Sequence, residues 1–417
     1  MDSRTLARRP LKLHWIASTS LSLVRAVQTC AAPHFHGPKT NAGVKKSLGG
    51  FALKDTGAMS QFISDSERVS ERLISASVSE REFWDHLSDE LISAGNDTAI
   101  TPQLCEVALL RSGHSQLQSD QTAAAIHRSI DNCRRLLMTD SPRFADQLRL
   151  RYAPLKQAYE AYGPGIVRSI GKQIWSGSPP ANWWPKRVTV HAVTPLHSGA
   201  AGRSSYQACV WIEAVLTDIS PNVPEWLRLV YQLTQIAVDG HTRTHLTGAS
   251  GTTAVLGVGG VLKSKSAKPI SGKPISPNPT NTGKPTNANP VPSADVSHGT
   301  GAGDGTSGGD SKPGTELPWA LGSIPVVLHQ AAEAGLLSGD SLPIEQTLDL
   351  WWQSEETFMQ SSLATSSSEI ALDRGVPETA DVLARWWEEH GRDASAFPIA
   401  LKQLAKMLAT PTDKKGR

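Results

Sequence analysis

Read by the period of its apolar positions, the chain is helical over most of its length and strand-like in one region, between Arg187 and Asp239. Val188, Val190 and Ala192 alternate with Arg187, Thr189 and His191, which predicts a half-buried strand over 187–193. Tyr206, Ala208, Val210, Ile212, Ala214 and Leu216 take every second place. Ala208, Trp211, Val215 and Ile219 would also fit a helix, but β-branched Val210, Ile212, Val215 and Thr217 favour a second strand over 206–217. The turn-rich stretch Gly199–Ser205 between them makes the pair a β-hairpin. A helix over 223–239 follows, in which Glu225, Arg228, Gln232, Gln235 and Asp239 recur at helical spacing. That stripe predicts a wet face opposite Trp226, Leu227, Val230, Leu233, Ile236 and Ala237. Asn222 is placed to cap, Pro224 suits the first turn, Glu225 completes a capping box, and Gly240 suits the stop.

Helical periods also run from Ser60 to Trp175. Ser79 and Glu82 form a capping box ahead of the stripe Phe83, Trp84, Leu87, Leu91 and Ile92, and Gly95-Asn96 closes that helix. Further helices are predicted at 102–110, 120–138, 142–152, 155–162 and 164–175, the last three divided by Pro154 and by Gly163-Pro164-Gly165. After residue 316 helices return at 319–334, 343–360, 377–390 and 396–409. Trp351-Trp352 and Trp386-Trp387 stand at the same place in two of these, so one Trp of each pair is expected to point partly outward, where a partner could receive it.

Between these regions, residues 246–316 are dominated by Gly, Ser, Thr, Pro, Asn and Ala, and no aromatic residue occurs between Tyr231 and Trp319. Such a composition cannot offset a backbone entropy of about 1–2 kcal/mol per residue, so a flexible disordered linker is expected. The expected fold is therefore mainly α with a small β-element (α+β). Residues 1–58 would be a disordered basic tail, 59–245 a helical lobe with hairpin and amphipathic helix, 317–410 a helical C-terminal lobe, and 411–417 a basic tail.

Charge and cysteines add little. The chain carries 41 Lys and Arg against 39 Asp and Glu, which gives no whole-protein reason to expect nucleic acid. Nine of the basic residues and a single acid fall before residue 55, so the positive excess is N-terminal. Arg8, Arg9 and Lys12 ahead of Leu13–Val24 have the outline of a secretory signal, diluted by His14, Ser18, Thr19, Ser20 and Ser22. Export, with cleavage near Cys30-Ala31-Ala32, is thus an alternative to a tail, as is a start at Met59. Cys30, Cys105, Cys133 and Cys209 form no Cys-x-x-Cys pair and read as reduced thiols, which favours the cytoplasm. No apolar run reaches the eighteen residues or so of a membrane span.

Candidate chemistry is sparse. His241 and His245, four apart, would share a helix face as in the zinc-peptidase pattern His-Glu-x-x-His, although Thr242 takes the place of the Glu. His191 and His197 flank the inter-strand loop and would complete a four-His metal site. The loop from His197 to Ser205 offers hydroxyls, Arg203 and Gly-given amides, the ingredients of an anion site. A surface turn is the plainer reading of both stretches. Neither a Gly-x-Ser-x-Gly elbow between a strand and a helix nor a placed Cys–His–Asp set can be read. Trp211–Leu233, with Ile212-Glu213-Ala214-Val215-Leu216 and Pro224-Glu225-x-Leu227-Arg228-Leu229, resembles segments of uncharacterised planctomycete-type bacterial proteins, a resemblance that implies no activity. The expectation is a non-catalytic intracellular interaction or scaffold protein docking through its C-terminal helices. The alternative is a metal- or anion-dependent hydrolase built on the His cluster.

Overall fold

The computed structural model describes residues 11–31, 53, 55–94, 97–180, 182–196, 200–204, 207–249 (backbone alone over 243–249), 317–337, 341–351 and 375–410. Its centre is a four-stranded sheet of β1 (Lys12–Ala17), β2 (Arg187–Val193), β3 (Ala201–Ser204) and β4 (Cys209–Glu213), in the order β1-β2-β4-β3. β2 runs parallel to both β1 and β4, and only β3 is antiparallel, against β4. The sheet therefore departs from the simple hairpin. The chain leaves β2, crosses the end of β4, descends as β3 and returns as β4 in the middle. Glu213, the last residue of β4, holds that crossing: its two carboxylate oxygens accept from the amides of Leu196 and Ala200, each at 3.0 Å.

Helices cover both faces, so β4 is buried at every position and has no wet side to advertise it. On one face Val188, Val190, Val210 and Ile212 share a core with α6 (Phe144–Ile174) and α7 (Trp226–Ala249). On the other, Val193, Cys209 and Trp211 meet Leu21 of α1 (Thr19–Ala31) and Ile92 of α3 (Glu80–Ser93). α1 and α3 join α2 (Thr56–Ser75), α4 (Pro102–Arg111) and α5 (Ser119–Asp140) around a second core of Phe62, Phe83, Trp84, Ile126 and Cys133. Ser79 caps α3 as expected, accepting from the Glu82 amide at 3.4 Å.

Several expectations are corrected. The N-terminal segment is no tail over 12–31: β1 pairs with β2 along its whole length, and Leu21, Leu23, Val24, Ala26 and Val27 of α1 are buried. The charged-then-apolar outline of a signal is thus a strand and helix of the core, and a start at Met59 would remove both. Residues 32–52 and 411–417 lie outside the described residues.

α6 runs unbroken through Pro154 and Pro164. A proline inside a helix costs about 3 kcal/mol, whereas each large side chain buried contributes about 1.5–3 kcal/mol. The stripe Leu155, Tyr159, Ile166, Val167, Ile170 and Ile174 outweighs both prolines.

In α7 the polar stripe is not wet: Glu225, Arg228, Gln232 and Gln235 are all buried. Its first turn is held by Asp218, which accepts from the Glu225 amide at 2.8 Å, and the helix passes through Gly240 to Ala249.

The C-terminal helices form no separate lobe. α8 (Trp319–Glu333), a helical stretch at 344–351, α9 (Val376–Trp386) and α10 (Phe397–Ala409) share the core of α6 and α7. Tyr231 donates to the Ala320 carbonyl at 3.3 Å and lies 5.1 Å from the Trp351 ring. Met1–Ala249 and Thr315–Arg417 make one compact unit, and Ser250–Gly314 is counted apart. The linker reading falls on residues 250–316, outside those described. Both Trp386 and Trp387 are buried, because the turn widens to a π-helix over Trp387–Gly391 and Gly391 gives up its Cβ to the two indoles. Trp386 donates to the Ala400 carbonyl at 2.7 Å; Trp352 lies outside the described residues.

Candidate functional site

Of the four candidate histidines two are described, His191 and His241, and these two are not brought together. His191 lies on the sheet face covered by α1, 1 % exposed, its Nδ1 3.4 Å from the Ser18 hydroxyl and its Nε2 sealed without a hydrogen-bond partner. Burial lowers its pKa to about 4, so at neutral pH the ring is uncharged. His241 is carried by α7 on the opposite side, edge-on to Trp175 at 4.6 Å and to Trp183 at 5.7 Å. His197 and the side chain of His245 lie outside the described residues. Among the described residues no group of three or more His, Cys, Asp and Glu is placed to hold a metal ion.

Of the stretch offered as an anion site, residues 200–204 are described, and what they and Leu196 bind lies within the chain itself. Leu196 and Ala200 give their amides to Glu213, a residue that the strand pattern presented as an ordinary outward carboxylate. Arg203, in turn, is spent on α7: its Nε is 3.2 Å from Asp239 and its Nη1 3.3 Å from Gln232, tying the edge strand to the helix. The Glu225–Arg228 pair, 3.3 Å apart and nearly sealed, anchors the start of α7. Burial raises the Glu225 carboxyl, and Arg228 pulls against that rise.

Arg25, among the described residues of this neighbourhood, is not used up in this way. Its guanidinium carbon lies over the Trp211 ring, 3.7 Å from the centroid. The stack is built from below by Gly202 of β3: a Cβ there would stand 2.5 Å from the Trp211 Nε1, so only glycine lets the indole lie on the strand. The Arg25 Nε is buried without an acceptor, while the residue as a whole is half-buried. Desolvation brings its pKa down to about 10, with Glu213 and then Asp85 acting the other way, which leaves it charged at neutral pH. In the sequence Arg25 only ended an apolar run. Nothing in that local pattern places it on a tryptophan that lies 186 residues further along the chain.

The thiols offer no nucleophile. All four cysteines are free and buried, and burial pushes Cys30, Cys105 and Cys133 up to about 12 and Cys209 upward. No family model, curated protein or solved structure matches the chain.

Proposed function

We propose that the protein is a non-catalytic binding or scaffold protein of the cytoplasm, of bacterial type as the likeness of Trp211–Leu233 suggests. The observation that carries this reading is that the described groups able to act as base, acid or nucleophile around the sheet are built into the fold. His191 is sealed and neutral, Glu213 is buried and held by two amides, Glu225 is paired with Arg228, and the thiols are buried. Such groups hold a shape and have no route to a substrate. Four unpaired thiols fit a reducing compartment, and among the described residues no helix is long and apolar enough to cross a membrane. Docking is assigned to the outer side of the C-terminal helices, where Ile399 of α10 stands 60 % exposed.

The test is a screen of ester, phosphoester and peptide substrates with the purified chain, with and without zinc, beside elemental analysis. No turnover and no stoichiometric metal are expected. Hydrolysis that is lost in His191→Ala or His241→Ala would replace the scaffold reading with the hydrolase.

A further inference from the structure

Arginine inside a protein is ordinarily fixed by acceptors, because its five N–H donors are costly to leave dry. Arg25 departs from that rule. Among the described residues it makes no hydrogen bond and no ion pair, although two carboxylates are close enough to influence its charge. Neither closes on it. Asp85 is drawn to Arg81, 4.0 Å away, and Glu213 is turned to the Leu196 and Ala200 amides. The fork is nevertheless held in place by the face of Trp211, which is itself seated on the bare backbone of Gly202.

A positive plane, oriented by a ring and lacking acceptors, is preorganised for a ligand that brings them. The residue is half-buried and, of its three guanidinium nitrogens, Nε alone is sealed without a partner, so Nη1 and Nη2 are the ones left to donate. They would engage two oxygens side by side.

We propose that Arg25, stacked on Trp211, is the anchor of an oxyanion-binding site that takes the carboxylate or phosphate of a small ligand on the outer edge of its guanidinium. The surrounding elements are α1, which carries Arg25, α3, which carries Asp85, and the end of β4, which carries Glu213. The two flanking carboxylates raise the threshold for binding. They repel any anion that does not use the fork, and the fork itself takes two oxygens side by side, which a spherical chloride cannot supply. The site does not depend on the scaffold role, since a binding protein and an enzyme could each use it.

The test uses the full chain labelled with nitrogen-15, following the Arg25 Nε–Hε resonance, assigned by its loss in Arg25→Lys. Sodium phosphate and sodium acetate are titrated separately at constant ionic strength against sodium chloride. A saturable shift with phosphate alone assigns a phosphorylated ligand, one with acetate alone a carboxylate, and both a general oxyanion seat. Arg25→Lys, which keeps the charge and loses the fork, is expected to weaken the binding, read by calorimetry, at least about 10-fold.

Arg25→Met controls for a structural role. Its melting temperature without ligand is expected to be no lower than that of the natural chain, because no hydrogen bond is removed, and the anion-dependent rise in melting temperature should vanish. No shift beyond the chloride control, equal affinity in Arg25→Lys, or an Arg25→Met chain that melts lower and still responds to anion would each overturn the site.

Discussion

His191 and Glu225 show how burial rewrites residues that look solvated. Each sits where a periodic reading puts a polar side chain outward, and each is at most 4 % exposed. Their effects on stability have opposite signs. The His191 pKa falls from 6.5 to about 4 on folding, so its contribution is full above pH 6.5 and is lost as pH falls through 4. The Glu225 pKa rises from 4.5 to about 7, so its contribution is full below pH 4.5 and is lost as pH rises through 7. Between pH 4.5 and 6.5 the two oppose each other and the natural chain should show a shallow profile. His191→Gln removes a dependence worth about 3 kcal/mol across its window. Urea unfolding of that variant should give a stability that declines as pH rises from 4.5 to 7; an unchanged profile would mean that His191 is not buried as a neutral ring.

The elements were unevenly legible. β2 and the helices at 102–111 and 119–140 could be read from the chain almost to the residue, since their periodicity is local. β3 could not, because Ala201-Gly202-Arg203-Ser204 has no alternation; it is a strand only by pairing with β4 and by covering Trp211. The same reason hid β1 and α1, whose mixed composition makes sense only against β2 and α3. In α6 and α7 the punctuation misled, because prolines and glycines report on a chain segment alone and burial of a long stripe overrides them. Two glycines separate these cases. Gly240 lies inside α7 with open space where a Cβ would go, so Gly240→Ala should stabilise by about 0.5–1 kcal/mol. Gly202→Ala forces a methyl into the Trp211 ring and should cost about 1–3 kcal/mol. Equal effects in thermal melts would contradict the placement of the indole on β3.

At the scale of the molecule, the long Gly, Ser and Pro segment does not divide two independent lobes. It leaves from α7 and comes back ahead of α8, and these two helices pack on each other through Leu233, Leu321 and the Tyr231–Ala320 hydrogen bond. A protease cut within 250–314 should therefore leave both pieces in one complex on gel filtration, melting in a single transition. Two separating fragments would restore the two-lobe reading. The candidate site follows the same rule of distance: its histidines were chosen by proximity in sequence, whereas Arg25, Trp211 and Gly202 meet only through the sheet.

That dependence on distance reaches back to the ribosome. β1 finds its partner at a separation of 175 residues, from Lys12 to Arg187. With synthesis at about 5–20 residues per second, the first strand emerges some 10–35 s before β2 exists to pair with it. Through that interval the nascent chain carries an unpaired strand and the apolar side of α1, and shielding both until β2 arrives becomes a condition of making the protein at all.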